Sequence, residues 1–263
     1  MSKVIVITSG KGGVGKTTTT ANIGMGLAMR GNSVVLIDTD TGLRNLDLLL
    51  GLENRILYDL VDVTEGRIPW KKALVAHKKF NKLLLLPTSQ IRDKSAVNPA
   101  QLKALCDELR KHYDYIIIDC PAGIEQGFQT ATQAADMAIV VTMPEISAIR
   151  DADKIIGELI RAEKNEIKLI VNRIRKQMVD RDEMMDMEAI QKHLELECIG
   201  QIPDDESVIT ATNVGEPVIL NENAWAGKAY ANIVRRICGE TVPFLEVPKE
   251  GFFQRLKKAF RFH

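Results

Sequence analysis

The stretch Gly10-Lys11-Gly12-Gly13-Val14-Gly15-Lys16-Thr17 constrains this chain more than any other. It fits G-x-x-x-x-G-K-[ST], follows the β-branched run KVIVIT and opens a helical pattern over residues 17–30. A strand feeding a glycine-rich loop and then a helix N-terminus is a phosphate cradle. The glycines let backbone N–H groups close around phosphate oxygens, and the helix end adds positive potential. Lys16 would meet the β- and γ-phosphates and the Thr17 hydroxyl would ligate Mg2+, while Gly10, Gly12, Gly13, Val14, Gly15 and Thr18 complete the nucleotide-binding loop. A glycine-rich turn before an unrelated helix is the competing reading, and both flanks weigh against it.

The rest of the chain repeats that strand–helix alternation. KVIVIT, SVVLID, KLLLLP, YIIIDC, MAIVVTM, IKLIVN and ECIGQIP are short runs, apolar on both faces, as strands covered by helices on both sides must be. Helical patterns lie at 17–30, 99–111, 145–162, 184–193 and 226–238. The rhythm predicts an α/β fold, a doubly wound and mainly parallel sheet with helices on both faces. Ligands of such sheets sit at the carboxyl ends of strands, which directs attention to the loops after Thr8, Ile37 and Ile118. We place the nucleotide-binding domain at 1–242, a linker at 243–250, where two prolines and mixed charge interrupt the pattern, and a separate tail at 251–263.

Acids fall where a bound nucleotide needs them. Asp38 ends SVVLID and Asp40 stands two residues on, placed to orient an attacking water or to hold a metal's water shell. Asp119 ends YIIID and can anchor Mg2+ through water, while Gly123 offers a backbone N–H to a γ-phosphate. Solvated loop acids remain the alternative for the first pair. Asn172, at the end of IKLIVN, could exchange hydrogen bonds with an adenine edge or simply form a turn. Lys11 is superfluous to its own cradle, because the backbone already wraps the phosphates. A facing subunit could receive it as a charge supplied in trans; a solvated surface lysine is the alternative.

The wording GKGGVGKTT resembles the deviant Walker A ATPases, a family that includes partition ATPases and the nitrogenase iron protein. The resemblance implies that Lys11 crosses a dimer interface to the partner's phosphates, that Asp40 positions the hydrolytic water, and that Asp38 supports the site. It also implies that Asn172, Arg173 and Pro203 frame adenine, favouring ATP. Further stretches, TGLRNLDLLLG, LPTSQIRDKSA, DCPAGIEQG, SAIRDADKIIG, NVGEPVI and AGKAY, are similar to the branch that selects the cell-division site. That branch implies an ATP-dependent homodimer on the membrane that recruits the inhibitor MinC and is released by MinE-stimulated hydrolysis. Asn45, Arg150, Asp151 and Asp153 would then carry partner contacts; a solvated, charge-paired helix face is the alternative for the last three. A flagellar-number regulator and a chromosome-partition ATPase of the same family are the rival readings.

The tail GFFQRLKKAFRFH puts Phe252, Phe253, Leu256 and Phe260 on one side at helical spacing, with Arg255, Lys257 and Lys258 on the other. Bulky apolar residues opposite an all-basic face describe a helix lying in an anionic phospholipid surface; a terminal helix packed on the body is the alternative. Charge separates the readings further. Lys and Arg number 35, as do Asp and Glu, and the tail takes four of the basic residues and no acid. The body therefore carries 31 basic against 35 acidic residues, a poor footprint for DNA, so no specific nucleic acid is expected. No signal peptide and no membrane-spanning run is present. We expect a protein that is cytoplasmic and peripheral on the inner face of the membrane. Cys106, Cys120, Cys198 and Cys238 show no metal-like spacing and read as buried thiols, which argues against an iron–sulfur carrier.

Overall fold

The computed structural model describes residues 2–40, 45–89 and 97–246. Its centre is one sheet of eight strands: β1 (Lys3–Thr8), β2 (Val34–Asp38), β3 (Val75–Ala76), β4 (Leu83–Leu86), β5 (Tyr115–Asp119), β6 (Met137–Thr142), β7 (Glu166–Ile174) and β8 (Cys198–Pro203). Their order is β3-β4-β2-β5-β1-β6-β7-β8. Every pairing is parallel except the short edge pair β3–β4. The doubly wound, mainly parallel α/β fold expected from the sequence is the fold observed.

Helices α1 (Lys16–Met29), α2 (Pro99–Leu109), α3 (Gln126–Ala134), α4 (Ile146–Arg161), α5 (Met187–Leu194), α6 (Ser207–Asn213) and α7 (Trp225–Ile237) connect or cover the strands. Strand residues alternate between two cores. Ile5, Ile7, Leu36, Ile117 and Ile139 face α1 and α7, where Ile23, Leu27, Tyr230 and Ile233 meet them. Val4, Val6, Ile37, Ile116 and Ile118 face α2 to α5, meeting Leu102, Phe128, Ile155 and Ile190. Each such aliphatic side chain contributes roughly 1.5–3 kcal/mol by leaving water, which is what holds the helix layers on the sheet.

Helix α1 is buried along most of its length, so its polar residues must be satisfied inside. The Asn22 amide donates to the Thr18 carbonyl at 2.8 Å and its oxygen accepts from the Ile219 N–H at 2.8 Å. The Thr19 hydroxyl lies 3.2 Å from that of the fully buried Tyr230. Close packing explains two glycines within the helix: a Cβ on Gly24 would come within 2.5 Å of Leu36, and one on Gly26 within 2.6 Å of both Ile219 and Val234.

Some elements depart from expectation. Helix α3, QGFQTATQA, is additional to the helical patterns read from the sequence; its Gly and two Thr are poor helix formers. Burial of Phe128, Ala131 and Ala134 against the sheet overrides that preference. Helix α5 starts at Met187, not 184, because Asp186 caps it by accepting from the Ala189 N–H at 2.7 Å. Helix α6 and the helical turns Leu46–Leu49, Leu60–Thr64, Trp70–Ala73 and Lys176–Val179 are also additional to the pattern. Cys106, Cys120 and Cys198 are buried free thiols, whereas Cys238, at the C-cap of α7, is only half-buried. Among the described residues no helix is long and apolar enough to cross a membrane. The proposed linker is described only as far as Glu246, and the tail, with Phe252, Phe253, Arg255, Leu256, Lys257, Lys258 and Phe260, lies outside the described residues.

Candidate functional site

The carboxyl ends of β1, β2 and β5 stand side by side, and the loop after β1 wraps the start of α1. Gly13 and Gly15 adopt left-handed backbone, φ 80 and 101, which lets the loop turn back over the helix end. Gly15 is the N-cap of α1 and supplies no side-chain cap, leaving the first helical N–H groups free for an anion. Gly12 and Gly13 face open space. Gly10 and Gly15 are glycine for a different reason, since a Cβ would lie 2.2 Å from the Asp151 carbonyl oxygen of α4 and 2.4 Å from Asn172 Nδ2 respectively.

Beneath the loop lies a charged cluster. Register pairs Asp38 directly with Asp119 on neighbouring strands, and both are 1% exposed. Lys16 is also buried and holds its ammonium near Asp119, whose carboxylate accepts from the Thr17 hydroxyl and from Thr20 Oγ1, the latter at 3.1 Å. Asp38 Oδ1 accepts from the Asp40 N–H at 2.9 Å. The Thr39 N–H and hydroxyl both donate to the Asp119 carbonyl, at 3.0 and 2.7 Å. These contacts bring Lys16, Thr17, Asp38, Asp40 and Asp119 into one site. Thr20 was not anticipated; only its place one helical turn beyond Lys16 could have suggested it.

Burial pushes the Asp119 carboxyl up to about 6, against the opposing pull of Lys16, Thr17 and Thr20. Asp38 is raised well above the ordinary carboxylate range, first by burial and then by the neighbouring Asp119 charge. One hydroxyl and two carboxylates form a hard-oxygen donor set that suits Mg2+. Among the described residues no cluster of three or more His, Cys, Asp or Glu could hold a metal by itself. A cation here would therefore draw further ligands from phosphate and water, as Mg2+ at nucleotide sites does.

The raised carboxyls make a pH prediction. A folded-state pKa above the unfolded value means that the folded chain binds the proton more tightly. That contribution is complete below about 4 and is lost as pH rises through about 6. Asp38→Asn removes one of the crowded charges and keeps an acceptor for the Asp40 N–H. In urea unfolding without nucleotide, the variant should be more stable than the parent at pH 7 and gain almost nothing at pH 4. Parallel stability curves across that range would show that the pair is not strained by its own charge.

Other expected site residues sit differently. Lys11 leans away from its own cradle: its Nζ lies 3.4 Å from Ser147 Oγ and 3.7 Å from Glu145 Oε2, at the start of α4. The Gly123 N–H, expected to meet a γ-phosphate, donates to the Ser9 carbonyl at 3.0 Å. Asn172, expected at an adenine edge, uses its amide on the loop itself: Nδ2 donates to the Val14 carbonyl at 2.8 Å and Oδ1 accepts from the Arg173 N–H at 2.9 Å. It thus pins the cradle to β7. Arg173 is exposed with left-handed backbone at φ 57, and Pro203 ends β8 beside it. Arg150 and Asp153 are exposed on α4, while Asp151 is half-buried, with its carbonyl over Gly10 and its carboxylate 3.2 Å from Lys154 Nζ. Asn45 is exposed ahead of the turn Leu46–Leu49; it follows β2, three places along the sheet from the β6 that leads into α4.

Comparison with known proteins extends these observations. Residues 1–238 match the ParA family model, described as an NUBPL iron-transfer P-loop NTPase. The chain is 53% identical to the septum site-determining protein MinD of Bacillus subtilis over 99% of its own length and 98% of that protein's. It is 49% identical to MinD of Thermotoga maritima, over 98% and 100%. Among solved structures it is similar to MinD in the MinC:MinD cell division protein complex of Aquifex aeolicus. That match has 48% identity and a TM-score of 0.88, covering 94% of this chain and 100% of that one. It is also similar to MinD of Pyrococcus horikoshii in complex with Mg-ADP, at 29% identity and a TM-score of 0.81 over 90% and 96%.

Proposed function

Because the chain belongs to the septum site-determining MinD proteins of the ParA family of P-loop NTPases, we propose that it is an ATPase that selects the division site by cycling on and off the cytoplasmic membrane. The observation that carries this reading is the full-length likeness to MinD held in a MinC:MinD complex. In the proposed cycle ATP pairs two copies, the tails settle in anionic phospholipid, and the pair recruits the inhibitor MinC. MinE-stimulated hydrolysis then releases it.

Each residue has a defined task. The backbone of residues 10–18 and Lys16 take the phosphates. Thr17, with Asp38 and Asp119 behind it, would hold Mg2+, which when bound neutralises phosphate charge. Asp40 orients the attacking water. Lys11 of the facing copy leaves its Glu145 and Ser147 partners to reach the γ-phosphate, adding the positive charge that the transition state needs. Gly123 must exchange the Ser9 carbonyl for a phosphate oxygen, so triphosphate and diphosphate would leave this loop in different states. Asn172, with the amide hydrogen that Val14 does not take, Arg173 and Pro203 border the base.

Vesicle sedimentation tests the proposal. With ATP the protein should pellet with anionic vesicles; with ADP it should stay in the supernatant, and double-stranded DNA should not compete. Pelleting that ignores the nucleotide would refute the cycle, and release by DNA would favour the partition reading.

A further inference from the structure

Beyond α7 the chain reverses and is fastened to the body. Gly239, left-handed at φ 87, donates its N–H to the Arg236 carbonyl at 2.9 Å, and the Glu240 N–H donates to that of Arg235 at 3.0 Å. The Glu240 carboxylate is then gripped from two sides, by Arg235 Nε at 2.8 Å and by the guanidinium of Arg30 in α1. From Val242 on the chain is held again: the Arg236 guanidinium donates to three carbonyls, those of Ile199, Val242 and Pro243, each at 2.9 Å. It also lies over the Phe244 ring, 4.3 Å from the centroid. Only the planar fork of arginine can serve three acceptors and a ring face together. Ile199 belongs to the first residues of edge strand β8, whereas the cradle lies at the opposite, carboxyl ends of the strands. The chain therefore leaves the body at the pole away from the nucleotide.

We propose that this clasp is a positioning device for membrane attachment, and that Arg236 is its main positioning residue. The inference rests on the membrane reading above, with an anionic lipid surface as partner. With residues 239–244 fastened, the stretch between body and tail is residues 245–250, six residues; released, it is residues 239–250, twelve. The reach of that stretch grows from about 20 Å to about 40 Å. For two tails on one dimer, the effective concentration of the second tail at the surface falls as roughly the −3/2 power of tether length, about threefold for a doubling. The first insertion does not depend on the tether. The Glu240 pairs are part-exposed and weaker than the Arg236 grip, so they contribute the smaller share.

The experiment titrates full-length protein with ATP against phosphatidylglycerol–phosphatidylcholine vesicles. Arg236→Ala should bind about threefold more weakly than the parent, and Glu240→Ala should lie between the two. Neither substitution should alter the residual binding seen with ADP. Deleting residues 245–250 from Arg236→Ala returns the tether to six residues and should restore the parental affinity. A residue that acted only through fold stability would show no such rescue. Parental affinity in Arg236→Ala, or a deletion that fails to restore binding, overturns the clasp. If the parent itself never pellets with ATP, the membrane reading fails first and the inference falls with it.

Discussion

Replacing Lys16 by alanine is expected to weaken ATP binding by about 10²–10⁴-fold and to destabilise the nucleotide-free chain at neutral pH. The first effect follows from chemistry. A buried ammonium at the mouth of the cradle would make charge-assisted hydrogen bonds to bound phosphate oxygens, each contributing roughly 1.5–3 kcal/mol. Two such bonds give the stated loss, since about 1.4 kcal/mol is tenfold. The second effect follows from the neighbours. Lys16 is the cation that opposes burial at Asp119, with Asp38 aligned on the next strand. Without it two buried acids face each other with less compensation, and leaving a buried charge unpaired costs several kcal/mol unless it protonates. The two effects are separable. Adding Asp38→Asn to Lys16→Ala should recover much of the stability and none of the affinity. Calorimetric titration with ATP and urea unfolding read the two quantities. Lys16→Ala binding ATP within tenfold of the parent would remove it from the phosphate site.

What the sequence made legible, and what it did not, divides along a physical line. The seven long strands were readable because the body of a strand covered on both faces must be apolar, and VIVI, VVLI and III are. The cradle was readable because strand, glycines and helix start are contiguous. The partnership of Asp38 with Asp119 was half legible: each acid visibly ends a strand, but only the β2–β5 register makes them neighbours. Contacts between loops distant in sequence were not legible at all. The second lysine's resting partners, Glu145 and Ser147, lie more than 130 residues away. Gly10 looks like a phosphate glycine, yet the nearest obstacle to a side chain there is the backbone of α4. Asn172 looked like a base reader or a turn former, and in the structure its amide fastens the cradle. Helix α3 failed for the opposite reason: its residues carry little local signal, and the sheet decides for them.

That resting place for the second lysine makes Lys11→Ala the variant with the widest consequences. Its side chain is 42% exposed and contacts an exposed acid and a serine hydroxyl, so removing it should cost the unpaired chain almost nothing. ATP affinity should stay within a few-fold of the parent, because the chain's own cradle does not use this charge. Dimerisation is another matter. In a symmetric pair the loss is counted twice, once on each nucleotide. Two charge-assisted contacts of roughly 1.5–3 kcal/mol make dimer formation weaker by about 10²–10⁴-fold. Attachment to vesicles should fall with it, by a further factor of roughly 10²–10⁴, because each tail then binds alone. Sedimentation velocity with a non-hydrolysable ATP analogue reads the first loss, and vesicle titration reads the second. A parallel coiled coil fused ahead of residue 2, joining two Lys11→Ala chains, should restore vesicle binding with or without nucleotide, although hydrolysis stays slow. A dimer of normal strength from Lys11→Ala would leave the early lysine as a surface residue. If the fused pair also failed to bind, pairing of tails would not be what holds this protein on a membrane.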